Sequence, residues 1–148
     1  MSRPVNATSY LILAMRERWM NLILDGQKTA EVRRTRPARL CDMPDYLFLY
    51  YRRCLHGVAE VVGTDLFNQS GLYKEWVFAA FRAYGEKACL TRVDFFRYLA
   101  LAKSPVVYLL GRVERFAEPV PVPERPQSWM YMTDAVREIV FGNGKGDF

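Results

Sequence analysis

The chain holds a single histidine, His56, and only three cysteines, Cys41, Cys54 and Cys89, among its 148 residues. One imidazole excludes a multi-histidine metal centre. Three thiols at wide, irregular spacing make neither a disulfide framework nor a zinc site, and the expectation is reduced cysteines in a cytoplasmic protein. No apolar run approaches the length of about 18 residues that a transmembrane helix needs, so no membrane partner is expected. The N-terminus lacks a signal-peptide layout, because the nearest apolar stretch, Leu11 to Met15, is short and runs straight into Arg16-Glu17-Arg18. Glycine-rich phosphate loops and the His-Glu-x-x-His zinc signature are missing as well. No cofactor and no metal are expected. Cys54 and His56 stand two apart, on one face of a strand, and superficially resemble a nucleophile with its base; a buried thiol beside an ordinary histidine explains them more simply.

What the sequence has is enough apolar material for one domain with a continuous core: 51% hydrophobic and 14% aromatic residues. The net charge of +5 is unevenly placed. Residues 1–53 carry ten basic groups against five acidic ones, whereas residues 54–148 carry eleven of each. An arginine-rich half beside a neutral one points to an anionic partner, nucleic acid first, with a merely solvated surface as the plain alternative.

Patterning predicts a buried strand over Tyr10–Met15, then a helix over Arg16–Asp25 with Trp19, Leu22 and Ile23 at core spacing, ended by Gly26. Thr29 to Arg34 alternates, which gives a strand with Ala30 and Val32 facing the core and Glu31 and Arg33 on the opposite, exposed face. A proline-containing loop covers 34–44. Tyr46–Tyr51 and Gly57–Val62 read as strands joined through Arg52-Arg53-Cys54-Leu55-His56. Two helices follow, Leu72–Tyr84 and Arg92–Ala102, the second capped by Thr91 and turning Val93, Phe96, Leu99 and Ala100 inward. Val106 opens a strand that runs to Arg112 and on towards Phe116. Glu118–Pro126 reads as an extended, hydrogen-bond-poor connector, Trp129–Met132 as an edge strand, and Asp134–Phe141 as a final helix capped by Thr133. This order implies an α+β fold around a largely antiparallel, closed sheet.

The chemistry concentrates in Gly26-Gln27-Lys28-Thr29-Ala30-Glu31-Val32-Arg33-Arg34. Arg33 offers a donor fork for a phosphate or base edge, Glu31 an acceptor and Lys28 a point charge. From spacing alone, a Glu31–Arg33 ion pair on an exposed strand accounts for the same residues.

Leu11 to Arg34 resembles the ASCH domain, a relative of the PUA domain, through the family's G-x-K-x-x-E-x-R motif at Gly26, Lys28, Glu31 and Arg33. Gly57-Val58-Ala59-Glu60-Val61 is similar to the family's G-x-x-E-V strand. Thr91 to Arg112 and Arg125-Pro126-Gln127-Ser128-Trp129-Met130-Tyr131 resemble the group of PUA-like predicted transcriptional regulators. The resemblance covers residues 10–132 and implies a PUA-like β-barrel with helices packed around it. Residues 10–141 read as that domain, 1–9 as an N-terminal extension and the glycine-rich 142–148 as a flexible tail. The resemblance also implies a cleft beside the Lys/Glu/Arg strand, with RNA favoured over DNA as the ligand and a regulatory role.

The expected nucleic-acid-binding residues are Arg16, Lys28, Glu31, Arg33, Arg34, Arg52, Arg53, Gln127, Ser128 and Trp129. Some ASCH relatives are amidohydrolases on a modified cytidine and others ribonucleases. On that alternative Lys28 and Glu31 would be catalytic, although Glu31 stands where the amidohydrolases carry their nucleophilic threonine. A third alternative is a regulator that binds a protein partner through the proline-rich connector and basic loop.

Overall fold

Leu11, Ile12 and Leu13 are fully buried, and the strand they form, β1 (Tyr10–Ala14), sits inside a six-stranded mixed sheet. A computed structural model of the chain describes residues 8–67 and 73–142. The remaining strands are β2 (Ala30–Arg33), β3 (Tyr46–Tyr51), β4 (Cys54–Leu66), β5 (Val106–Pro121) and β6 (Trp129–Tyr131). The helices are α1 (Glu17–Leu24), α2 (Tyr73–Tyr84), α3 (Arg92–Leu99) and α4 (Asp134–Phe141), with a 3-10 turn at Leu40–Asp42. The strand order is β2-β5-β4-β3-β1-β6. All pairings are antiparallel except β1 with β3, which is parallel because α1, β2 and the loop to residue 45 lie between them.

The sheet is curled, and its alternating residues sort into three clusters. Leu11, Leu13, Leu47, Leu49, Ala59, Val106, Tyr108 and Leu110 pack together with Met20, Ile23 and Leu24 of α1. This cluster lies on the sheet face that α1 covers, the inner face of the curl. On the convex face, Ala30, Val32 and Val107 meet α2 and α3 at one end of the sheet. Tyr10, Ile12, Phe48 and Tyr50 meet Val136 and Phe141 of α4 at the other. α1 presses so closely on the sheet that a Cβ on Gly57 would stand 2.6 Å from a Leu24 methyl carbon and 2.5 Å from the Glu114 carbonyl oxygen.

Several expectations need correction. The hydrogen-bonded ladder is not closed: β2 and β6 are its two edges, so the architecture is a half-barrel with a seam. Val93 is 61% exposed; α3 buries Leu99 as expected, but Phe95 beside it, because residues four apart share a helix face, and Phe96 packs partly buried against the same cluster. The expected connector from Glu118 is still strand up to Pro121, which pairs with Cys54 at the start of β4. Pro119 and Pro121 are tolerated there because both are exposed, with each neighbour's hydrogen bonds carrying the ladder. The β3–β4 connection is a two-residue turn in which Arg52 (φ 47°) and Arg53 (φ 66°) are both left-handed, the geometry of a tight hairpin turn. His56 falls at a register shift in β4 and its Nε2 lies 2.9 Å from the Tyr51 carbonyl oxygen, so it is not a partner for Cys54. Thr91 and Thr133 cap α3 and α4 as expected, accepting from the Asp94 and Val136 amides at 3.2 Å each. Leu72, the expected N-terminal extension to residue 7 and the tail from 143 lie outside the described residues.

Candidate nucleic-acid cleft at the barrel seam

β2 is where the alternation expected from sequence is turned inside out. Its register sets Glu31 opposite Tyr108 and Arg33 opposite Val106, and both partners belong to the concave-face core. Ala30 and Val32 face outward, but helices cover them. Both faces are therefore buried, and the charged one points into the half-barrel. Lys28, Glu31 and Arg33 are only 3%, 6% and 8% exposed.

Burial forces these three charges to satisfy one another. Lys28 Nζ lies 3.4 Å from one Glu31 oxygen and Arg33 Nη1 lies 3.2 Å from the other. The expected Glu31–Arg33 ion pair is present, but buried rather than exposed. Lys28 also donates to the Ala88 carbonyl at 2.5 Å. Arg33 reaches across the seam: Nη2 donates to the Ser128 Oγ at 2.7 Å and its carbonyl at 3.1 Å, and Nη1 donates to the Ala14 carbonyl at 3.3 Å. Trp129 Nε1 adds a second stitch, to Thr35 Oγ1 at 3.0 Å. One guanidinium thus does with side-chain bonds what a further strand pairing would do in a closed barrel. Burial works against its charge, but Glu31, with Tyr98 and Tyr108 nearby, outweighs that and raises the pKa of Arg33. For Tyr98 burial acts the other way and raises the pKa, with Arg33 and Arg34 opposing and Glu31 adding to the effect.

Above this floor opens a cleft of about 570 Å³, within the range of small-molecule and cofactor sites. Its walls come from the end of β1 (Met15, Arg16), from Trp19 of α1, from Arg34 after β2, and from Asp94, Arg97 and Tyr98 of α3. The α3 residues are spaced i, i+3, i+4 and so share one helix face. Five cations line the cleft against two carboxylates. Arg16, Arg34 and Arg97 are exposed, and Arg34 is steadied by donating to the Ala100 carbonyl at 3.0 Å. The half-buried Trp19 ring has the Arg18 guanidinium carbon 4.8 Å and Lys28 Nζ 5.3 Å from its centroid. The one cleft-lining atom buried without a hydrogen-bond partner among the described residues is Arg33 Nε.

The fold therefore brings together Arg16, Lys28, Glu31, Arg33 and Arg34, with Ser128 and Trp129 beside them as parts of the seam. It does not bring Arg52, Arg53 or Gln127 into the cleft wall; all three are exposed elsewhere, the two arginines at the hairpin tip. Sequence reasoning missed Arg97 and Tyr98, which the helical spacing from Asp94 could have marked. Of Trp19, Leu22 and Ile23, only Ile23 is buried; Met20 and Leu24 join it in the core, and Trp19 and Leu22 are half-buried.

A family model for the ASCH domain matches residues 13–113, a span that includes the whole Lys28–Glu31–Arg33 floor and α3. The chain belongs to the ASCH domain family. Among solved structures this ASCH chain is similar to ASCH from Zymomonas mobilis, with a TM-score of 0.70 at 17% identity over 88% of this chain and 92% of that one. A serine-to-alanine variant of the same Zymomonas protein gives 0.69 at 16% identity over 87% and 92%. A tyrosine-to-phenylalanine variant gives 0.70 at 16% over 87% and 94%. At such identities the likeness shows the shared α+β fold. No curated protein matches this ASCH chain. Among the described residues, no helix is long and apolar enough to cross a membrane and no group of three or more His, Cys, Asp or Glu could hold a metal ion.

Proposed function

We propose that this ASCH domain binds single-stranded nucleic acid, RNA in preference to DNA, in the seam cleft. The observation that carries the reading is a division of labour among cations. Lys28 and Arg33 are occupied by Glu31 and by backbone carbonyls, whereas Arg16, Arg34 and Arg97 stand exposed around the mouth. Exposed arginines at a cleft rim meet phosphates, and the buried polar floor with the Trp19 face suits a splayed base that stacks and forms hydrogen bonds at its edge. A duplex offers neither a free base face nor a narrow enough profile for such a cleft. Both oxygens of Glu31 are engaged by cations, which favours a positioning role over that of a general base and supports binding over hydrolysis.

The test is binding of labelled single-stranded RNA, single-stranded DNA and duplex DNA across a salt series, with product analysis of the same samples. Affinity for single strands that falls with salt, with the RNA intact, supports the reading. The salt slope then counts phosphate contacts at about 0.7 per contact. An Arg16→Ala, Arg97→Ala double variant should lose about tenfold or more in affinity while its unfolding curve is unchanged. Cleaved RNA would make the protein a nuclease, and no binding to any of the three would end the proposal.

A further inference from the structure

A second, smaller cleft lies along the other edge of the seam, outside the span of the G-x-K-x-x-E-x-R motif. It measures about 280 Å³, with Arg39, Arg137 and Asp42 as its charged walls and Thr8, Ser9, Tyr10, Tyr131 and Met132 as the rest. Two arginines face one carboxylate, so an anion is the ligand class it suits. Arg137 rests over the Tyr10 ring, its guanidinium carbon 5.1 Å from the centroid, which fixes the stem while the residue stays exposed. Arg39 is held by Asp42 at 2.8 Å, but its side chain is 56% exposed. Asp42, whose side chain is 15% exposed, engages Arg39 through Nε, and the terminal N–H groups of the guanidinium remain for a phosphate.

The two clefts are joined along two paths of the chain. The first is the loop after β2, which leaves Arg34 at the wall of the larger cleft and arrives at Arg39 in the smaller one. The second is β6. Ser128, immediately before the strand, accepts from Arg33 on the floor of the larger cleft, and Tyr131, at the strand's end, lines the smaller. Three residues of extended strand cover about 10 Å. Along that path Trp129 and Tyr131 share a face, their ring centroids 5.7 Å apart and nearly perpendicular, and Tyr131 is 44% exposed. Arginines at intervals along a path that also presents an aromatic ring are the composition of a single-strand track.

We infer that the ligand is a strand of several nucleotides running along the seam from the larger cleft, past the Trp129–Tyr131 edge, to a phosphate site between Arg39 and Arg137. The inference rests on the nucleic-acid reading of the larger cleft and adds a second contact site and a minimum length for the ligand. A lone nucleotide would fill only the first cleft and leave the smaller one empty.

The experiment measures the affinity of the full chain for uridine oligonucleotides from one nucleotide to about eight, the lower range of single-strand site sizes. It compares the parent with an Arg39→Ala, Arg137→Ala double variant whose unfolding midpoint is checked first. Affinity of the parent should rise with length and then level off. The double variant should bind the mononucleotide as the parent does, bind the longest oligonucleotide about tenfold more weakly, and show a salt slope flatter by about 0.7, the value for one lost phosphate contact on a single strand. A mononucleotide that binds as tightly as the longest strand, or a double variant indistinguishable from the parent on that strand, overturns the track and leaves the larger cleft as the binding site. Failure of the parent to bind any of the series overturns both readings.

Discussion

Two basic segments lie some twenty residues apart in the chain, and the fold treats them oppositely. Lys28 to Arg33 turns its cations into the half-barrel, where they are almost wholly buried and tied to Glu31 and backbone carbonyls. Arg52 and Arg53 stand exposed at the tip of a hairpin, in left-handed backbone conformations that a non-glycine residue adopts at a cost of about 1 kcal/mol or more each. Charge density in the sequence does not separate them. Register does, because β2 is an edge strand whose two faces are both covered, one by α2 and α3 and the other by the concave core. The same contrast recurs between neighbours: Arg33 stitches the seam, and Arg34, one residue on, faces the cleft mouth.

The contrast breaks hardest at Glu31. Glu31→Gln leaves Lys28 and Arg33 buried without a counter-charge, and denaturant unfolding should register a loss of about 3–5 kcal/mol. A loss below about 1 kcal/mol would mean the three charges do not depend on one another. A smaller change of opposite sign is expected at the hairpin. Arg53→Gly relieves a left-handed arginine and should raise stability by about 0.5–1 kcal/mol, with RNA affinity unchanged. A clear drop in affinity would instead bring the hairpin tip into the binding surface.

The gentlest effect belongs to a polar pair outside both segments. The Tyr84 hydroxyl donates to Asp65, and that hydrogen bond, followed by burial, raises the tyrosine pKa from 10.0 to about 12. A raised folded-state pKa stabilises fully below the unfolded value and is lost as pH climbs through the folded one. The stability difference between the parent and Tyr84→Phe should therefore hold steady up to about pH 10 and shrink towards pH 12, as unfolding curves at successive pH values would show. A difference independent of pH across that window would remove the hydrogen bond from the account.

Much of this architecture was legible. β3 and α4 stand at the expected boundaries, Thr91 and Thr133 cap the helices expected of them, and the family was recognisable from Gly26, Lys28, Glu31 and Arg33. The misreadings share a physical cause. Period-two alternation reports two faces but not which is wet, so Glu31 and Arg33 looked solvent-facing when they line a curled sheet's interior. Barrel closure depends on pairing between segments nearly a hundred residues apart, and a side-chain stitch from Arg33 to Ser128 leaves no periodic trace. Trp19 was indistinguishable from a core residue because the helical spacing of α1 admits either it or Met20 to the buried face. Proline content hid the end of β5, where exposed prolines sit in a strand that still pairs.

The central claim is that adjacent arginines divide structure from binding, and its most direct test sets Arg33→Ala beside Arg34→Ala. Unfolding free energy and single-stranded RNA affinity are measured on the same preparations. The account predicts that Arg33→Ala loses about 3 kcal/mol or more of stability, through one Glu31 oxygen and the seam acceptors left unpaired. Arg34→Ala should keep its stability to within about 0.5 kcal/mol and lose about tenfold in affinity. An Arg34→Ala protein that binds RNA as the parent does, or an Arg33→Ala protein as stable as the parent, would contradict it.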